Sequence, residues 1–119
     1  MSWTPEAIAA EMRATVIQME RAPRIVSDAR EAHLAAKTLL TKAKAAMRIS
    51  FLPGTYNDRD DRATMDEGIH DLAVALDVAD AAHAHARDVA AMLEKKLSAL
   101  QSEARLIALD YNTGGSRNG

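Results

Sequence analysis

Apolar residues recur along this chain at alternating steps of four and three. Ile8, Met12, Thr15, Met19, Ala22, Val26, Ala29, His33, Ala36, Leu40, Ala43 and Met47 form one such stripe. Met65, Ile69, Leu72, Leu76, Ala79, His83, Ala86, Ala90, Leu93, Leu97, Leu100, Ala104, Ile107 and Tyr111 form another. Spacing of this kind is a heptad seam, the pattern that zips one helix along another. A side row, Ile25, Ala29, Ala32, Ala36, Leu39, Ala43 and Ala46, runs beside the first seam. The second has its own companion row, Ala75, Val78, Ala82, His85, Val89 and Met92.

Local signals bound the elements. Thr4-Pro5-Glu6 combines a capping hydroxyl, a proline suited to the first helical position and an acid that complements the dipole. Phe51-Leu52-Pro53-Gly54-Thr55-Tyr56-Asn57-Asp58 is a turn, after which Asp60 or Asp61 begins the next helix. The spacing therefore predicts helices over 5–50 and 61–111, a turn over 51–60 and a disordered glycine-containing tail over 112–119. Residues 1–111 read as a single helical-hairpin domain.

Pro23 is the one interruption in the first helix, where it removes a backbone hydrogen bond. The seam passes it without a change of phase, which favours a kinked helix. The alternative is a split, with Ser27 or Asp28 capping a new helix and Met1–Ala22 detached. At 1.5 Å per residue, residues 5–50 span roughly 69 Å and residues 62–111 roughly 75 Å, so the two match as antiparallel partners. Counting outward from the turn sets Ala43 against Ile69, Leu39 against Leu72, Ala36 against Leu76, Met19 against Leu93 and Met12 against Leu100. Trp3 then falls near Tyr111.

The fold class is thus all-α, a long antiparallel helical hairpin of coiled-coil type. Alanine fills 25 of 119 positions and aromatics only 3%, so each buried side chain contributes little area. A hairpin cannot also cover the companion row of the second helix. That row predicts assembly into a four-helix bundle or larger oligomer, unless a detached N-terminal helix docks on it. Val78, Ala82, His85, Val89 and Met92 are the expected interface with another copy or a protein partner. Gln101 and Arg105, near the open end, extend it.

Charge is uneven. Residues 21–50 hold seven basic and two acidic side chains, and residues 58–80 hold eight acidic and two basic. Alignment of the two helices sets Arg30 near Asp80 and Lys44 near Asp66, pairs worth at most about 1 kcal/mol when exposed. Arg30, Lys37, Lys44 and Arg48 also form a basic stripe, a candidate nucleic-acid contact. It lacks aromatics for base stacking, and the net charge of −2 supplies no bulk attraction to phosphate.

Other chemistry finds little support. The absence of cysteine removes disulfides and thiolate ligands and fits a reducing cytoplasm. No apolar run reaches membrane-spanning length, and none resembles a signal peptide. His83 and His85 point about 200° apart on a helix and cannot share one ion. His33 is expected nearer Val78 and Ala79 than His83. Glu67-Gly68-Ile69-His70 has the Glu-x-x-His spacing of di-iron bundles but no second copy of it. The expectation is a non-enzyme with neither metal nor cofactor.

Two families invite comparison. Small secreted hairpins of the WXG type carry Trp-x-Gly in the turn, where this chain has Leu52-Pro53-Gly54. Their acid four positions after a C-terminal tyrosine is here Gly115, following Tyr111. The chain instead resembles small helical-hairpin proteins of actinobacterial phages, often encoded near genes for recombination and single-strand DNA handling. The resemblance lies in Ala22-Pro23 before an Ala-rich helix with Lys37 and Ala43-Lys44-Ala45. It continues in Leu97-Ser98-Ala99-Leu100-Gln101-Ser102, Arg105 and the glycine-rich tail. It implies an accessory role in phage DNA recombination or replication, in the host cytoplasm; a DNA-binding accessory using the basic stripe and a structural virion component are the alternatives.

Overall fold

The computed structural model describes residues 4–51 and 53–118, with side chains through Asp110. The expected Trp3–Tyr111 cluster lies outside the described side chains. Three helices follow in order: α1 (Pro5–Ser50), α2 (Tyr56–Met65) and α3 (Glu67–Asn118). Among the described residues there is no strand. The chain is an all-α helical hairpin.

Helix α1 starts where the sequence places it. The Thr4 hydroxyl accepts the Ala7 N–H at 3.1 Å, satisfying one of the donors that a helix start leaves free. Pro23 lies inside α1, so the split alternative is not what forms, and no N-terminal helix is detached. Met19, Ala22 and Val26 are all half-buried, so the seam is engaged on both sides of the proline. Those contacts hold the helix together although proline costs about 3 kcal/mol in a helix interior.

The return helix departs from expectation at its start. Helix α2 occupies much of the expected turn, capped by the Thr55 hydroxyl, which accepts the Asp58 N–H at 3.2 Å. It ends at Met65 because Asp66 is extended, at φ −67° and ψ 135°. The Asp66 carboxylate then accepts the Ile69 N–H at 3.2 Å and opens α3. A side chain that caps so well competes with helix continuation at its own position. The break resets the seam, and Met65, expected on it, is 85% exposed.

At its far end α3 runs to Asn118, where a disordered tail from Asn112 is expected. No proline interrupts that stretch, and each added residue closes one more backbone hydrogen bond.

Contacts group the chain into two units. A terminal unit comprises Met1–Arg24 and Arg87–Gly119, and a turn unit comprises Ile25–Ala86. In the terminal unit Ile8, Thr15 and Leu100 are buried. Thr15 satisfies its hydroxyl by donating to the Glu11 carbonyl at 2.8 Å. Pro5, Ile8, Ala9 and Met12 of α1 line an apolar groove with Ala104, Ile107 and Ala108 of α3. Further along α1, Glu11 pairs with Lys96. Residue numbers on α3 fall as those on α1 rise, so the two run antiparallel.

The turn unit has Ala63 and Ile69 buried. Arg48 donates to Asp60 Oδ1 through Nε at 2.9 Å and Nη2 at 2.7 Å, tying α1 to α2. Its guanidinium also lies 5.3 Å from the centre of the Tyr56 ring, and that of Arg62 lies 5.7 Å from the centre of Phe51. Deeper along α1, His33 Nε2 lies 3.6 Å from Asp80 Oδ1. The seam of α1 is buried or half-buried at every position from Ile8 to Met47, and that of α3 from Ile69 to Ile107.

Candidate interaction surface

Heptad letters make the two sides of the seam explicit. With the seam at a and d, the a positions of α1 in the turn unit are Val26, His33, Leu40 and Met47. Those of α3 there are Ile69, Leu76 and His83. The g position precedes each a and the e position follows each d, so g and e rows flank the seam on opposite sides.

The observed contacts agree with this assignment. Glu11 and Lys96 are both g residues and pair with one another. In an antiparallel pair the g rows of the two helices therefore share one flank, and the e rows share the other.

In the turn unit the two flanks differ in kind. The e flank carries Arg30, Lys37 and Lys44 on α1, with Asp80 on α3 and Asp66 at the α2–α3 junction. The g flank carries Ile25, Ala32, Leu39 and Ala46 on α1, with Ala75 and Ala82 on α3. None of these six is charged, and all are exposed. Ile25 is 56% and Leu39 54% accessible. Val78 and His85 lie on the outward side of the α3 g row and are exposed too, Val78 at 64%. The result is an exposed apolar face along the two g rows, bordered by Asp28 and Lys42 on α1 and Asp71 on α3.

Two expectations need correction here. Leu39, expected to meet Leu72 inside the hairpin, points out. Its g position lies one residue, or about 100°, from the seam residue Leu40, and Leu40 takes the inward place. The side row Ile25, Ala32, Leu39, Ala46 is thus part of the exposed face rather than of the hairpin core. Its strict seven-residue spacing, always one residue ahead of a seam position, is the signal that identifies it.

Of the interface residues expected from sequence, Val78, Ala82 and His85 come together on the turn unit. In the terminal unit Val89 is half-buried, while Met92, Gln101 and Arg105 are exposed. The half-burial of Val89 fits its g position, close to the seam.

The basic stripe is less available than its sequence suggests. Arg48 is committed to Asp60 and Tyr56. Arg30, Lys37 and Lys44 have no ion-pair partner among the described residues. The expected Arg30–Asp80 and Lys44–Asp66 pairs do not form: Asp80 lies against His33, and Asp66 caps α3. Carboxylates on the same flank still oppose the approach of phosphate.

The histidines are also arranged otherwise than expected. The rings of His33 and His83 lie 5.9 Å apart at 42°. Each Cα–Cβ bond tilts toward the N-terminus of its helix. On α1 that tilt carries the His33 ring toward the level of His83 and past Ala79. Among the described residues no group of three or more His, Cys, Asp or Glu side chains is arranged to hold a metal ion. Nor is any helix there long and apolar enough to cross a membrane.

No protein family matches the chain, and neither the curated proteins nor the solved structures include one that is similar to it.

Proposed function

We propose that the chain is a non-enzymatic helical adaptor that works by docking helices against the g flank of its turn unit. The observation that carries this reading is the exposed row of Ile25, Ala32, Leu39, Ala46, Ala75, Ala82 and Val78, all uncharged, on a unit in which Ala63 and Ile69 are the only buried apolar residues among those described. Apolar area of this kind gains about 25 cal/mol for each Å² removed from water. A contiguous exposed patch marks a contact surface more often than it marks idle exterior.

Oligomeric assembly and binding of a second protein both use such a face. The e flank supports nucleic-acid binding less well, since one of its four expected cations is internally paired and carboxylates sit among the rest. The biological setting we propose is that implied by the phage resemblance, an accessory of DNA recombination or replication acting in the host cytoplasm.

Photo-crosslinking tests the reading. A benzophenone side chain placed at Ala82 in cells should give polypeptide adducts, and the same group at Lys37 should give none. Absence of adducts from Ala82, or nucleic-acid adducts from Lys37, would overturn it.

A further inference from the structure

The occupant of the g flank follows from its shape, its extent and the rest of the chain. Helix α1 contributes large residues, Ile25 and Leu39, alternating with Ala32 and Ala46. Helix α3 contributes small ones, Ala75 and Ala82. We infer that the occupant is a second copy of this chain, related by a two-fold axis running along the helices. This rests on the docking role proposed above and names its partner.

A two-fold axis in that direction sets α1 of one copy against α3 of the other. Leu39 then lies level with Ala75, and Ala32 with Ala82, each to within about 3 Å along the axis, and the same contacts recur across it. A self-complementary patch is what a closed dimer requires. The four helices alternate in direction around the bundle, as antiparallel neighbours do within each hairpin.

Three observations favour a copy over another occupant. Among the described residues no segment is detached to cover the face, because the stretch before Pro23 is continuous with the rest of α1. Its g rows carry no charge in the turn unit, and the charges that border them, Asp28 and Lys42 on α1 and Asp71 on α3, are of both signs, so the face offers no single sign to select a charged partner helix. Its extent also suits a dimer. Ile25 to Ala46 runs about 33 Å, and two helices side by side are about 20 Å wide. That gives roughly 650 Å² per copy and about 1,300 Å² in total, within the range of about 1,200–2,000 Å² for specific interfaces.

The test uses the purified full chain. Sedimentation equilibrium should give twice the 12.9 kDa monomer mass. Leu39→Glu should weaken association at least tenfold while keeping helicity, because Leu39 is exposed within its own chain. Lys37→Glu, on the other flank, should leave association unchanged. A monomer at the highest concentration reached, or a dimer indifferent to a folded Leu39→Glu, would overturn the assignment.

Should Leu39→Glu fail to fold, cysteine pairing gives an independent answer, since the chain has no cysteine of its own. Ala32→Cys and Ala82→Cys proteins, mixed and oxidised, should join into mixed dimers, whereas Lys37→Cys mixed with Ala75→Cys should not. No Ala32–Ala82 dimer would sink the proposal. If Ala82 crosslinks a foreign protein in cells while the purified chain stays monomeric, the second-copy assignment fails and the docking role stands. If neither occurs, both fail.

Discussion

In the terminal unit the g row carries an ion pair between the two helices, Glu11 with Lys96. In the turn unit the same heptad position is filled by Ile25, Ala32, Leu39, Ala75 and Ala82, and it is open. One position of one repeat therefore does two jobs. Where it is charged it joins the two helices of the hairpin, and in the turn unit, where it is apolar, it leaves area exposed. Flanking positions are where coiled coils set register and partner choice, while the seam supplies most of the burial.

The comparison can be broken most forcefully at the seam, on which both units depend. Leu100→Asp would place a carboxylate among buried apolar groups of the terminal unit and should cost at least about 3 kcal/mol, enough to abolish a cooperative melt. Circular dichroism would show it. A variant that melted like the parent would mean that Leu100 does not sit in a working core.

A smaller effect is expected where α2 hands over to α3. Asp66→Ala removes the carboxylate that accepts the Ile69 N–H and should cost about 1 kcal/mol. Amide exchange should quicken first in the opening turn of α3, around Glu67–His70. Unchanged exchange there would show that the junction is held by something other than its cap.

The smallest effect belongs to the g pair itself. Glu11 and Lys96 are both substantially solvent-accessible. A double-mutant cycle through Glu11→Gln and Lys96→Gln should return a coupling of about 0.2–1 kcal/mol that fades with salt. A coupling of zero would leave alignment of the terminal unit to its seam alone and remove the contrast drawn above.

Much of this architecture is legible in the sequence, for a physical reason. Steps of four and three can be satisfied only by helices with one buried edge, so both seams, the Thr4 start and the passage through Pro23 follow from spacing alone. The break at Asp66 is harder to read. An aspartate inside a long polar stretch caps or does not cap according to whether the next turn finds a partner, and that is a tertiary matter. Met65 lost its seam place to that break. His33 and His83 meet because side chains lean along their helices, a displacement that residue counting ignores. The apolar face was half visible: the α3 row stands out, but Ile25 and Leu39 look like interior until Leu40 claims the inward position.

The g flank also has a genetic consequence. Between Ile25 and Ala46, codons can change freely so long as polarity is kept, but loss of a single codon cannot be absorbed. Deleting one residue would swing every later residue of that stretch by about 100° around the helix. Beyond the deletion the apolar row would leave its flank while α3 kept its own. Lineages carrying this chain should therefore show α1 varied in spelling and constant in length.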